Sequence, residues 1–181
     1  MLLPKIDDSL FHYKNISRDD FKELLNFYNS EEDFRFATGI ELPLTIRNLY
    51  EKYAQTVVSK NEFFIGVYLV ENDELIGAIR GGVNGKTQNG LWINSIAIDK
   101  NYQNKGYGTK IINSIIDYFD NNYEIDKVYV SVVGINSRAK DFWRKLGFVD
   151  LRKMKSSIYL DNKKQEIIIM QKELNKTFAI S

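Results

Sequence analysis

In the first third of the chain the apolar residues recur at helical spacing. Ser17 followed by "RDDFKELLNFYN" predicts a capped helix, with acidic residues in its first turn and Phe21, Leu24, Leu25 and Tyr28 on one face. A second helix is expected from near Thr45 through "IRNLYEKYAQTVV". The pattern then changes. "EFFIGVYLVEN", "ELIGAIRGGV" and "GLWINSIAID" are rich in β-branched and aromatic residues, and the turn signals "ENDE" and "VNGKTQNG" separate them, which predicts an antiparallel three-strand meander. After "QNKGYG" the helical spacing returns at Ile111, Ile112, Ile115, Ile116 and Phe119. A strand "KVYVSVV", a short helix "SRAKDFWRKL" ended by Gly147, and two late strands near "FVDLRKM" and "QEIIIMQKEL" complete the order. That order predicts a mixed α/β fold of the α+β type, with a largely antiparallel sheet and one parallel crossover spanning the glycine turn.

Composition narrows the chemistry. At 181 residues, with no repeat, no low-complexity tract and only two prolines, the chain reads as one domain. Lys+Arg at 25 against Asp+Glu at 24 gives a formal charge of +1, so no nucleic-acid or membrane partner is expected. Without cysteine there is no disulfide, thiol nucleophile or thiolate metal site, and His12 alone cannot build an imidazole metal cluster. No metal is therefore expected. The start "MLLPKIDDSLFHYK" lacks a secretory pattern and no segment approaches the ~18 apolar residues of a membrane span, so the expected location is the cytoplasm.

The glycine turn invites three phosphate-cradling readings. A dinucleotide fingerprint needs a third glycine where Ile111 stands, and "KVYVSVV" ends without an acidic ribose partner. In "NGKTQ" the residues Gly85, Lys86 and Thr87 mimic the end of a Walker loop, but Arg80 holds the leading glycine position and a strand follows, which reads as a hairpin. What remains is a strand, a Q-x-x-G-x-G turn and a helix whose first amides point outward, an arrangement suited to a pyrophosphate. Gly106 and Gly108 have no Cβ to keep phosphate oxygens away, and Lys105 adds a full charge. The bland alternative is a tight strand-to-helix turn.

At these residues the chain resembles the GNAT superfamily of N-acetyltransferases. Its acetyl-CoA motif, Arg/Gln-x-x-Gly-x-Gly/Ala after an apolar triplet, is matched by Gln103, Asn104, Lys105, Gly106, Tyr107 and Gly108 following Ile96, Ala97 and Ile98. A second motif is similar at the spacing the family would require: "NSRAKDFWRKLGF" against N-x-x-A-x-x-Leu-Tyr-x-Lys-x-Gly-Phe. Read from its residues, that segment is an amphipathic helix with Ala139, Phe142, Trp143 and Leu146 on one side, and Asn136 at its start caps it or, as the resemblance implies, reaches the pantetheine arm. The resemblance implies a central sheet flanked by helices with strands splayed at the acetyl-CoA site. It also implies a cofactor site made of Ile96 to Ile98, Gln103 to Thr109, Asn136, Ala139 and Trp143. One domain over 1–181 is expected, with variable N-terminal helices in 1–61, the acetyl-CoA-binding core in 63–148 and C-terminal strands in 149–174.

The reaction implied is attack of a primary amine on the acetyl-CoA thioester in a ternary complex, with acetyl-CoA as cosubstrate. Backbone groups of Ile96, Ala97 and Ile98 are expected to bind the pantetheine amides and polarise the thioester carbonyl. The sequence departs from the family at the proton-transfer positions. Trp143 stands where the family's frequent general acid is a tyrosine, and an indole N–H is not a useful acid. The strand before the turn offers Asn94 and Ser95 in place of a carboxylate. Asn94 and Tyr159 are the catalytic candidates, Tyr129 and Ser137 are further candidates for the acid, and a water relay is the alternative.

A module that binds acetyl-CoA or CoA without turnover is a second reading, and a structural or interaction domain a third. Monomer and homodimer are both compatible with the sequence. The acceptor is a small-molecule or peptide amine. In "NSEEDFRFATGIELP", Glu31, Glu32 and Asp33, with Glu41, either face a cationic amine or form a solvated loop, while Phe34 and Phe36 suggest that the segment packs over something. A small cationic amine is the expectation.

Overall fold

Phe11 and Tyr13 alternate with His12 and Lys14, and in the computed structural model of the chain that alternation is a strand with both aromatics buried. The structure describes residues 1–3, 6–30, 43–84, 90–160 and 163–174. Strands β1 (Ile6–Asp7) and β2 (Phe11–Asn15) precede helices α1 (Phe21–Ser30) and α2 (Ile46–Val58). The meander follows as β3 (Glu62–Leu69), β4 (Leu75–Val83) and β5 (Gly90–Ile98). A 3-10 turn (Lys100–Tyr102) leads into α3 (Tyr107–Tyr123), then β6 (Lys127–Val133), α4 (Ser137–Lys145), β7 (Val149–Leu160) and β8 (Lys163–Glu173). The strands form one sheet in the order β1-β2-β3-β4-β5-β6-β8-β7, antiparallel throughout except for the β5–β6 pair. That parallel pair is the predicted crossover, with α3 as its connection.

Each face of the sheet carries a hydrophobic cluster. On one, Ile111, Ile112, Ile115, Ile116 and Phe119 of α3 pack with Ile76 and Ile79 of β4, Leu91 and Ile93 of β5, and Phe63, whose ring stacks on Phe119 at 4.9 Å. On the other, Phe21, Leu24 and Tyr28 of α1 and Leu49 of α2 cover Phe64, Ala78 and Ala97. Full burial of each large apolar side chain contributes ~1.5–3 kcal/mol, so these two helical stripes hold the layers together. Among the described residues, no helix is long and apolar enough to cross a membrane.

The N-terminal region departs from the expectation of helices alone, because β1 and β2 come first and α1 starts later than Ser17. Ser17 does not cap the helix. Its amide and hydroxyl both donate to Asp20 Oδ2, at 2.7 and 2.9 Å, which makes a local turn ahead of Phe21. Thr45 does cap α2: its Oγ1 accepts the Asn48 amide, and Asn48 Oδ1 accepts the Thr45 amide at 2.8 Å. The β1–β2 hairpin is tied to α3 through Asp8, which accepts the amides of Leu10 and Phe11 on Oδ1 and the hydroxyls of Tyr13 and Ser114 on Oδ2. Burial opposes ionisation of Asp8, but these donors outweigh it and hold the carboxyl below the ordinary range. The "NGKTQ" segment joins two paired strands, and the Asn84 amide donates to the Gly90 carbonyl at 2.9 Å. Residues 85–89 themselves lie outside the described residues.

Candidate active site

The glycine turn folds as it does because two residues accept left-handed backbone. Asn104 has φ 59 and Gly106 has φ 77, and the second is the residue just before α3. The first bond of the helix runs from the Lys110 amide to the Gly106 carbonyl, so the amides of Tyr107, Gly108 and Thr109 have no intrahelical acceptor. Gly108 also meets a packing constraint. A Cβ there would meet the Phe142 ring at 3.2 Å and Ile98 Cδ1 at 3.4 Å, so its bareness lets α3, α4 and β5 pack closely. The turn is held by side chains. Gln103 Nε2 donates to the Ile98 carbonyl at 2.8 Å, and Arg138 Nη2 donates to Gln103 Oε1 at 2.8 Å and to Asn104 Oδ1 at 3.4 Å. Lys105 lies over the Tyr102 ring at 5.1 Å.

Sequence reasoning missed Arg138. A signal was present: a cation in the first turn of α4 opposes the helix dipole, so its charge is placed there for another partner. Asn136 caps α4, its Oδ1 accepting the Ala139 amide at 2.9 Å.

Beside this turn the sheet opens. β5 and β6 pair from Gly90↔Lys127 to Ile93↔Val130 and no further, although β5 continues to Ile98 and β6 to Val133. On the other edge of β5, Arg80 pairs with Ser95 and Gly81 with Ile93, which leaves Asn94 as the extra residue of a bulge. Bulge and splay begin at the same residue. From Asn94 onward the β6-facing edge of β5, including Ile96, Ala97 and Ile98, is free of ladder bonds to β6.

A cleft open to solvent lies on the α1–α2 face at this point. Asn94 and Ser95 form its wall nearest the splay, Phe64 and Leu49 are apolar wall, and Tyr28, Lys52 and Arg80 bring the polar groups. Burial pushes the Tyr28 phenol well above its ordinary pKa, with Arg80 pulling the other way, so the ring enters as a neutral hydroxyl. Burial, and then the charge of Arg80, holds the Lys52 ammonium below its usual range.

The structure brings Asn94, Ser95, Ile96 to Ile98, Gln103 to Thr109, Asn136 and Ala139 to one end of the β5–β6 opening. It does not bring Trp143 there as a polar group. That side chain is only 5% exposed, packed edge-to-face on Phe142 and Phe148 at 5.0 Å each. Tyr129 stacks on Trp92 at 5.0 Å, and Ser137 is exposed on the first turn of α4. Tyr159 pairs with Lys164 in the β7–β8 ladder, and its side chain lies outside what the structure describes. Glu31, Glu32, Asp33, Phe34, Phe36 and Glu41 also lie outside the described residues. Among the described residues, no group of three or more His, Cys, Asp or Glu is placed to hold a metal ion.

Several known acetyltransferases are similar to this chain. N-alpha-acetyltransferase 50 of Danio rerio is 26% identical over 130 residues, 71% of this chain and 76% of that protein. Spermine/spermidine N(1)-acetyltransferase of Bacillus subtilis is 31% identical over 58 residues, 32% of this chain and 38% of that protein. Among solved structures, spermidine N-acetyltransferase from Vibrio cholerae, in complex with CoA and spermine, has a TM-score of 0.77 at 20% identity, covering 92% of this chain and 96% of that one. The Salmonella typhimurium acetyl transferase that modifies the N-terminal serine of ribosomal protein L7/L12 has a TM-score of 0.79 at 9% identity, covering 95% and 100%. These structures share the fold. The model of the acetyltransferase (GNAT) family matches residues 21–148, a span that takes in α1, α2, the meander, the glycine turn and α4, and the chain therefore belongs to that family.

Proposed function

We propose that this acetyltransferase moves an acetyl group from acetyl-CoA to the primary amine of a small molecule or peptide, by direct attack in a ternary complex. The observation that carries the reading is the coincidence at Asn94: β5 and β6 part there, and the free amides of α3 open at the far end of the same gap. Acetyl-CoA supplies an activated acyl carbon. The amides of Tyr107, Gly108 and Thr109, with Lys105, suit its pyrophosphate. The unpaired edge of β5 at Ile96 to Ile98 suits its pantetheine amides, which replace the ladder bonds that β6 does not make.

In this reading the amine enters by the α1–α2 face, where Asn94 and Ser95 orient it and the backbone at the bulge donates to the developing oxyanion. The C–N bond forms as the C–S bond breaks. Water carries the proton from the ammonium, because the described cleft walls hold no carboxylate or imidazole. We assign the work by region: residues 63–148 hold the cosubstrate, 1–61 shape the acceptor side and 149–174 complete the sheet, as one domain.

Two measurements test this. Calorimetric titration with acetyl-CoA should show saturable binding, and an amine panel should release CoA thiol in the presence of at least one amine. Binding with no turnover on any amine would leave only a CoA-binding module.

A further inference from the structure

Lys52 of α2 and Arg80 of β4 line the cleft on the α1–α2 face, beside the apolar side chains of Leu49 and Phe64. Both cations are half-buried, and among the described residues no carboxylate forms an ion pair with either. Two cations lining one partly apolar cleft give it a positive potential that favours an anionic group of a bound ligand. The place of Arg80 is specific. It pairs directly across the β4–β5 ladder with Ser95, one strand spacing of ~4.8 Å away, and Ser95 lies just past the point where β5 and β6 part. An anion held by Arg80 therefore sits close to where the amine meets the thioester.

We infer that the acceptor amine carries an acid group, in the simplest case a carboxylate, a few bonds from its nitrogen, and that Arg80 and Lys52 hold this group while the amine faces Asn94 and Ser95. The inference rests on the acetyl-transfer reading above and specifies its acceptor: the amino-acid class, in place of the small cationic amine expected from the acidic run near Glu31. The planar fork of Arg80 matches the two oxygens of a carboxylate, and Lys52 adds a point charge. A polyamine in the same cleft would meet two like charges, which disfavours it. The acid group is not consumed: the C–N bond forms, the C–S bond breaks, one ammonium proton leaves to water and a second goes to the CoA thiolate.

The test uses the full chain with acetyl-CoA and reads released CoA thiol. Four kinds of acceptor are compared: free amino acids, the carboxamides of the same amino acids, a dipeptide with an acidic side chain, and a polyamine. Free amino acids should exceed their own carboxamides by ~10-fold or more in kcat/KM, as expected when a charged hydrogen-bond partner is lost. Arg80→Gln should shrink that advantage to ~2-fold through a raised KM, and Arg80→Lys should restore part of it. Calorimetry on the same variants should give an unchanged acetyl-CoA affinity, which separates acceptor recognition from cosubstrate binding. Lys52→Gln lies on a helix, outside the sheet, and should reduce the advantage even where Arg80→Gln does not fold. Equal use of acid and carboxamide, or preference for the polyamine, overturns the inference and leaves acetyl transfer standing. Preference for the acidic dipeptide over every free amino acid overturns the small-molecule assignment. Thiol release with none of the amines overturns both.

Discussion

Arg138, on the first turn of α4, donates a 2.8 Å hydrogen bond to Gln103 Oε1 at the entrance to the glycine turn. Gln103 in turn donates to the Ile98 carbonyl at the end of β5, so one side-chain chain joins α4, the turn and the strand. This contact preorganises the amides of α3 without adding to the core. Arg138→Ala is expected to weaken acetyl-CoA binding by ~2- to 10-fold, the range for one exposed hydrogen bond of about 0.5–1.5 kcal/mol, with little change in Tm. A calorimetric Kd equal to that of the parent would show that the turn needs no such brace.

Thr109 separates helix stability from anion binding. It is exposed in the first turn of α3, where a carboxylate favours the helix but repels a phosphate. Thr109→Glu should keep or raise Tm while raising the Kd of acetyl-CoA by ~10-fold at low salt, and added salt should narrow the gap to Thr109→Gln. If Thr109→Glu binds as tightly as Thr109→Gln at low salt, the pyrophosphate does not sit at this helix end.

Gly108 and Phe142 are coupled by packing. A Cβ on residue 108 lies 3.2 Å from the Phe142 ring, so Gly108→Ala sets the push on that ring against the ~0.5–1 kcal/mol that alanine gains over glycine in a helix, and stability should stay within ~1 kcal/mol of the parent. Phe142→Leu should relieve the clash, and a double-mutant cycle by urea unfolding should show a coupling of ~0.5 kcal/mol or more. Strict additivity would mean that the ring moves aside without strain.

Asp8 makes stability depend on pH. Its folded carboxyl is held below the ordinary range, so its contribution is present above the unfolded value near 4 and is lost as pH falls through the lower folded value. Asp8→Asn should be less stable than the parent by ~1–3 kcal/mol at pH 7, and urea unfolding should show the gap closing toward pH 3. A gap that stays constant with pH would mean that the ionised form is not what holds Tyr13 and Ser114.

Trp143 is buried against Phe142 and Phe148. Trp143→Phe should lower stability by ~1–3 kcal/mol through the space it leaves against Phe148, while turnover is largely retained. A ~1000-fold loss of kcat with cosubstrate affinity intact, ~4 kcal/mol of transition-state stabilisation, would instead give the indole N–H a catalytic role.

Local chemistry was legible in the sequence. The isoleucine stripe of α3 and the closing Gly147 depend on neighbours within a few residues, so spacing alone predicts them, and it offers the Asn136 cap as one of two roles. A helix start near Thr45 is legible too, whereas Ser17, expected as a cap, turns its hydroxyl and amide to Asp20. The short β2 strand gives little signal in the sequence, since its alternation covers only five residues. Tertiary structure alone decided the site. Where β5 leaves β6, that Arg80 and Lys52 enter one cleft, that Gly108 faces the Phe142 ring, and that Trp143 is core all depend on contacts between distant segments. Chain stereochemistry sets local conformation within a turn or two, but register and packing between elements are settled only when the whole sheet and its helices bury their surfaces together.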